Sequence, residues 1–420
     1  MVEMRKPMPI SEAVTKVMEF SKTGGTEFLS IEACDGRRLA EPIITGHPVP
    51  PFDKSPYDGF AFYSGDTEHA STEYSVEFEV VEHVGAGQVP KKILTKNQAT
   101  RIMTGAQIPD GADCVAMFEI CKEFERNGKA HISIKRTMKP DQNVIRKGSE
   151  IEQGIELVAK GTTINPGVKA LLATFGYKHV HVVKKPVVGI FATGTELLDV
   201  GDELEPGKIR NSNAYMVMSQ IKRAGGEPLY FGKLVDEFES SFESIKDKLE
   251  SVDFLITTGG VSVGDFDLMP AIYEKLHAKV LFNKVAMRPG SVTTVATVGG
   301  KLLFGLSGNP SACYVGFELF VRPILQSYLF NEKPYLKRTQ AILVDDFPKP
   351  NPFTRFVRGT IFIENGQVSV RLAGIDKSNV VTSLAFANGL MVLPGGTRGY
   401  TKGSQVDVLW LDDSQGQDTF

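Results

Sequence analysis

Between residues 186 and 330 the chain alternates short apolar β-type runs with longer helical patterns, and this alternation narrows the fold more than any other feature. Segments 187–192, 228–235, 254–258 and 302–306 read as strands. Segments 213–224, ended by Gly225-Gly226, and 238–249 read as helices. A further helix is expected from Pro310 to about Leu329, with Asn309 suited to its N-cap and Pro310 to its first position. Strands and helices in alternation pack as a doubly wound parallel sheet. Ligands of such a sheet sit beyond the carboxyl ends of its strands.

Three of those strand ends carry turns rich in small and polar residues. The strand at 254–258 runs into Gly259-Gly260-Val261-Ser262-Val263-Gly264-Asp265-Phe266-Asp267. Glycine lets backbone approach a ligand closely, and the N–H groups of such a turn can hold phosphate or another oxyanion. Thr193-Gly194-Thr195-Glu196-Leu197 and Ser307-Gly308-Asn309-Pro310 follow two other strands, and Asp236 ends a fourth. In a parallel sheet these ends share one edge, which gathers Glu196, Asp236, Asp265 and Asp267 around one crevice. Any one of them alone reads as a helix cap or a solvated turn. Several carboxylates without His or Cys suit Mg²⁺ rather than zinc. Lys208, Arg210, Lys284 and Arg288 stand nearby in sequence, and Lys and Arg pair with oxyanions. Arg355 and Arg358 flank Phe356 further on, where a solvated surface strand is the expectation.

The flanking regions have a different texture. Residues 1–47 begin with an amphipathic helix, capped by Ser11, whose apolar side is Ala13, Val14, Val17, Met18 and Phe20. Residues 48–147 alternate β-type runs with Gly, Pro and Asp turns and read as a compact β-domain, such as a small barrel. Proline-rich boundaries at Pro48-Val49-Pro50-Pro51 and Pro140 mark it as an insertion, so that 1–47 belongs with 148–185. The α/β domain covers 186–331, and 332–420 reads as a second small β-domain.

Composition excludes several classes. Hydrophobic residues at 42% and charged ones at 23% describe a globular chain, and a net charge of −3 exerts no global pull on nucleic acid or anionic membrane. No uncharged run reaches the ~20 residues that span a bilayer, and the N-terminus lacks a signal-peptide pattern. The four cysteines are spread without metal spacing, as expected of ordinary thiols in the cytoplasm. There is no P-loop, and Gly85-Ala86-Gly87 lacks the context of a dinucleotide fingerprint. A Gly-x-Ser-x-Gly nucleophile elbow is also missing.

Further short runs complete an ordered set: Tyr57-Asp58-Gly59-Phe60-Ala61, Arg101-Ile102-Met103-Thr104-Gly105-Ala106, Lys147-Gly148-Ser149-Glu150-Ile151, and Arg358-Gly359. Together with the three turns above, this set resembles the molybdopterin molybdenumtransferase family over nearly the full length. The C-terminal part of gephyrin has the same unit. The resemblance implies Mg²⁺-assisted cleavage of the pyrophosphate bond of adenylylated molybdopterin, release of AMP, and insertion of molybdenum from molybdate. It implies Asp58 and Thr104 as an active-site pair, and Glu196, Asp236 and Asp267 as the acidic set for metal or water. Gly259, Gly260, Ser262, Gly264, Asn309 and Pro310 are implied as substrate contacts. Lys284 and Arg288 are implied for phosphate or molybdate, with Arg358 and Ser378 contributing to the anion pocket. It further implies a homodimer whose cleft is shared between chains, and a transient contact with the molybdopterin adenylyltransferase. Ser307 stands where many members have Pro, and Ile145 where many have Arg, with Arg146 next to it. The other readings are an adenylyltransferase relative, against which the Asp58 and Thr104 region argues, and a scaffold of the gephyrin type. Tungstate in place of molybdate is also compatible with the residues.

Overall fold

A computed structural model describes residues 6–260, 268–350 and 352–411. The chain forms two compact units. One comprises Met1–Ala40, Gly161–Ile164 and His181–Phe420; the other comprises Glu41–Lys160 and Asn165–Val180.

The larger unit contains a six-stranded sheet in the order Glu227–Leu234, Val187–Thr193, Phe254–Thr258, Lys301–Leu306, Thr294–Val298, Lys279–Phe282. The first four strands are parallel, and Thr294–Val298 runs antiparallel to both its neighbours, Lys301–Leu306 and Lys279–Phe282. The sheet is therefore mixed: the sequence pattern reveals the first four strands and passes over the last two, which add the antiparallel pairings. Side-chain alternation along the strands supplies both faces. Val188, Ile190, Phe254, Ile256, Leu302, Phe304 and Leu306 pack in one core with helices Ile10–Met18, Asn213–Arg223 and Pro310–Gly316. Phe191, Leu255 and Leu303 pack in another with helices Phe238–Leu249 and Met269–Lys275. The helix from Pro310 continues through a π-helical turn, Phe317–Val321, into Arg322–Tyr328, close to the expected end.

Two expected caps are not made. The first helix starts at Ile10 after Pro9, which puts Ser11 inside it, and among the described residues no side chain caps that end. Asn309 occupies the N-cap position before Pro310, but its side chain makes no capping bond. Its backbone N–H instead donates to the Ser307 hydroxyl at 3.2 Å.

The end of this unit is a barrel. Strands Thr354–Glu364, Gln367–Leu372, Arg338–Leu343, Gln405–Trp410 and Gly389–Leu393 pair in that order, and the last pairs back with the first. Closure removes the unpaired edges that an open sheet of this size exposes. Leu343, Val357, Val370, Met391 and Val408 fill its interior. The short strand Met287–Arg288 joins Thr354–Glu364 in parallel.

The smaller unit is a six-stranded sheet ordered Cys114–Met117, Gly59–Phe62, Gln98–Ile102, Val76–Val84, Lys129–Ile134, Cys121–Arg126. Among the described residues its two end strands do not pair, so it is an open sheet rather than the barrel expected. Phe60, Phe62, Phe78, Ala116 and Ile132 form its core. A helix that the sequence pattern does not reveal, Pro166–Thr174, is capped by Asn165, whose side chain accepts from Val168 N–H at 2.9 Å.

No disulfide joins any of the four cysteines, and burial pushes the thiols of Cys114 and Cys313 well above their ordinary value. No helix among the described residues is long and apolar enough to cross a membrane.

Candidate active site

In the larger unit the chain leaves Val187–Thr193 toward one neighbouring strand, Glu227–Leu234, and returns to the other, Phe254–Thr258. This reversal opens a crevice at the carboxyl ends of the two central strands. A cavity of about 890 Å³ lies there, near the upper end of the usual range for ligand sites. Its walls are the three turns singled out in the sequence. Glu196, Asp236, Gly259, Gly260, Asn309 and Pro310 all line it.

Local packing explains how these groups are presented. Gly259 donates to Leu306 O at 2.8 Å, tying the second turn to the strand that feeds the third. A Cβ at Gly259 would lie 2.6 Å from Thr193 O and 2.7 Å from Thr193 Oγ1. Only glycine lets these two turns approach so closely. Likewise the Glu196 carboxylate folds back over Gly194, with Oε2 2.4 Å from where a Cβ would stand. Glu237, beside Asp236, caps the following helix by accepting from Glu239 N–H at 3.1 Å and Ser240 N–H at 2.7 Å. Asp236 is thereby left at the strand end, exposed on the cavity wall.

The basic groups are placed differently from one another. Lys208 donates to Thr195 O at 2.6 Å, and Arg210 to Asp202 O at 2.9 Å, so both brace the loop that carries Glu196. Arg210 also lines the cavity, whereas Lys284, Arg288, Arg358 and Ser378 are not among its lining residues. Arg288 is exposed, and its strand places it in register with Arg355. Arg358 is fully enclosed and does not lie on a solvated strand. It donates to Ile375 O at 3.0 Å, Lys377 O at 3.2 Å and Ser383 Oγ at 3.0 Å. Burial pulls this guanidinium below its ordinary value, while the Asp376 carboxylate at 3.5 Å opposes the shift. The loop it holds leads directly to the cavity. Ser378 O accepts from Ser311 N–H at 3.0 Å, Val380 O from the Ser311 hydroxyl at 2.7 Å, and Asn379 lines the wall.

Ser262, Gly264, Asp265 and Asp267 lie outside the described residues. Among the described residues no group of three His, Cys, Asp or Glu is placed to hold a metal ion. Glu196 and Asp236 are the two described members of the expected acidic set. Asn211, Asn213 and Asn379 also line the cavity, and the sequence motifs do not assign them. For the first two a signal is present, since Asn211-Ser212-Asn213 is a polar run that leads into a helix.

The smaller unit carries Asp58 and Thr104. Thr104 donates to one oxygen of Asp58 through its N–H at 2.7 Å and its hydroxyl at 2.9 Å. These bonds, the backbone one foremost, hold the Asp58 carboxyl below the usual aspartate range. Asp58 is thus an ionised acceptor whose second oxygen remains open among the described bonds. Arg146 is committed to ion pairs with Asp53 and Asp141, and Ile145 pairs its backbone with Lys54.

Comparison with known proteins matches three successive segments of the chain. The MoeA N-terminal region (domain I and II) matches residues 8–176, a probable molybdopterin binding domain matches 189–327, and the MoeA C-terminal region (domain IV) matches 340–411. The molybdopterin molybdenumtransferase of Bacillus subtilis (strain 168) is 58% identical over 100% of this chain and 97% of its own. That of Staphylococcus epidermidis (strain ATCC 12228 / FDA PCI 1200) is 47% identical, covering 98% of each. The crystal structure of the molybdopterin biosynthesis MoeA protein from Pyrococcus horikosii superposes with a TM-score of 0.86 at 32% identity, over 97% of this chain and 100% of that one. Matched end to end in sequence and in architecture, the chain belongs to the molybdopterin molybdenumtransferase family.

Proposed function

We propose that the chain transfers molybdenum from molybdate to adenylylated molybdopterin, with cleavage of the pyrophosphate bond and release of AMP. The observation that carries this reading is the meeting of three strand-end turns and two carboxylates, Glu196 and Asp236, in one cavity of about 890 Å³. Its size suits a nucleotide-sized ligand. Its backbone turns suit phosphate oxygens.

Glu196 and Asp236 fit a hard divalent cation. Both are exposed on the cavity wall, and neither carboxylate is occupied by a hydrogen bond with a described residue. With Asp267 they would hold Mg²⁺, which would polarise phosphate oxygens and stabilise the leaving phosphate. Gly259, Gly260, Ser262, Gly264, Asn309 and Pro310 hold the substrate backbone. Lys284 and Arg288 attract the phosphate or the molybdate. Arg358 acts by holding the loop that carries Ser378. Asp58, kept ionised by Thr104, accepts hydrogen bonds from the substrate or from attacking water.

The same reading makes the protein a cytoplasmic homodimer with a shared cleft, which receives its substrate through transient contact with the molybdopterin adenylyltransferase. Its layout is 1–47 with 148–185, an insertion at 48–147, an α/β domain at 186–331 and a β-domain at 332–420.

The test is AMP release from adenylylated molybdopterin with Mg²⁺, with and without molybdate. Molybdate-dependent release coupled to active cofactor is expected. It is expected to be lost in Glu196→Gln and in Asp236→Asn, with folding unchanged. No release by a folded wild-type chain would refute the transferase reading and point to a scaffold. Full activity in both variants would sink the metal assignment.

A further inference from the structure

We propose that Asn213 is a specificity-determining residue whose side-chain oxygen accepts a hydrogen bond from an amino group on a fused nitrogen heterocycle of the substrate. This rests on the functional reading above.

Asn213 is the first residue of the helix Asn213–Arg223, lines the cavity, and is 8% exposed. Its side-chain amide nitrogen donates to Gly308 O at 2.8 Å. A backbone carbonyl carries no proton, so the nitrogen must be the atom that faces Gly308. The orientation of the carboxamide is therefore fixed by chemistry. Its oxygen is left buried with no partner among the described residues.

Asn211 supplies the contrast. It stands two positions earlier on the same wall, and both ends of its amide are used. The nitrogen donates to Tyr230 Oη at 2.9 Å, and the oxygen accepts from Ala214 N–H at 3.2 Å. Asn211 closes the structure, whereas Asn213, on the same cavity wall, keeps a buried acceptor without a partner among the described residues. Thr258, 2% exposed on the same wall, also has a hydroxyl without a partner among the described residues. A buried polar atom left unpaired is costly, and a ligand donor that reaches it removes the cost.

An amide oxygen can only accept. It repels phosphate and molybdate oxygens and takes a proton donor, and the donor proposed is an amino N–H. A substrate that joins a pterin to an adenine has two amino-bearing fused rings, and either can supply the donor. The shared chemistry is the exocyclic amino group, and the probes separate the two sources. AMP is compared with purine riboside 5′-monophosphate, which lacks only the amino group. Pterin is compared with pteridin-4-one, its deaminated counterpart. Affinities are measured by titration of the full chain.

In wild type, one amino probe is expected to bind roughly 3- to 10-fold more tightly than its deaminated partner, the range of one neutral hydrogen bond. In Asn213→Ala that ratio is expected to fall to about one, while Asn211→Ala leaves it unchanged. Loss of the Gly308 anchor loosens the loop for both members of a pair alike, so the ratio is insensitive to a merely structural effect. Ratios of one for both pairs in wild type would overturn the proposal without any variant. So would a wild-type ratio that survives in Asn213→Ala, the outcome expected if the oxygen serves instead as a metal ligand. Wild type that binds none of the four probes would bring down the functional reading, and this proposal with it.

Discussion

Gly259→Ala puts the packing of the cavity wall to a quantitative test. Gly259 has a φ of +90°, a backbone region that costs an L-residue about 1–2 kcal/mol. The added methyl would also lie 2.6 Å from the Thr193 carbonyl oxygen and 2.7 Å from its hydroxyl. Neither neighbour is free to retreat. Thr193 ends a central strand, its hydroxyl donates to Thr258 O at 3.2 Å, and Gly259 N–H is held by Leu306 O at 2.8 Å. Overpacking of this kind costs about 1–3 kcal/mol, which makes the total roughly 2–5 kcal/mol. Gly207 is the control, with a φ of +77° and no atom of the described residues within 4 Å of where a Cβ would stand. Gly207→Ala carries the backbone cost alone, about 1–2 kcal/mol. Equilibrium urea unfolding of the two variants should differ by about 1–3 kcal/mol at equal m-value. AMP affinity should fall only in Gly259→Ala. Equal destabilisation of the two variants, or less than about 0.5 kcal/mol for Gly259→Ala, would refute the close approach of the two turns.

Three further outcomes are expected. Thr104→Ala should raise the Asp58 pKa part of the way toward its ordinary value, because the hydroxyl donor is lost while the larger backbone donor stays; a carboxyl NMR titration reads this, and an unmoved pKa would refute it. The sign for stability follows: with its folded pKa below the unfolded value of about 3.9, Asp58 contributes stability that is present above that pH and lost as pH falls through the folded pKa, so Thr104→Ala should flatten the acid limb of a stability–pH curve. Glu318→Ala should destabilise by about 3–5 kcal/mol in urea unfolding, since it leaves Arg223 and Arg322 facing each other without their buried carboxylate. Arg358→Lys should weaken substrate binding while sparing the barrel, because one ammonium cannot bridge Ile375, Lys377 and Ser383 together; unchanged affinity would show that this loop does not govern the cavity.

Much of the fold is legible in the sequence because it rests on local periodicity. Segment 254–258 reads as a strand and 238–249 as a helix, with the bounds the structure has. The strand-end turns meet in one cavity because parallel strands bring their carboxyl ends to one edge, which follows from topology alone. The two antiparallel strands Lys279–Phe282 and Thr294–Val298 escape a sequence reading, since their pairing depends on partners far along the chain.

The sequence by itself determined the α/β alternation, the placing of Glu196, Asp236 and the glycine turns at strand ends, and the ordered motifs that mark the family. These depend on period, propensity and spacing, which neighbouring residues decide among themselves. Only the tertiary structure decided the rest. Arg358 is indistinguishable in sequence from a surface arginine, yet it is buried and spends its donors on the loop at 375–377. Ser11 and Asn309 have the composition of caps without making the bonds. Asn211 and Asn213 are chemically identical and two residues apart, and the fold pairs both ends of one while leaving the oxygen of the other buried without a partner among the described residues. The physical reason is common to all of them. A polar group's role is set by which donor or acceptor comes within about 3 Å of it, and that partner is usually supplied by a distant part of the chain.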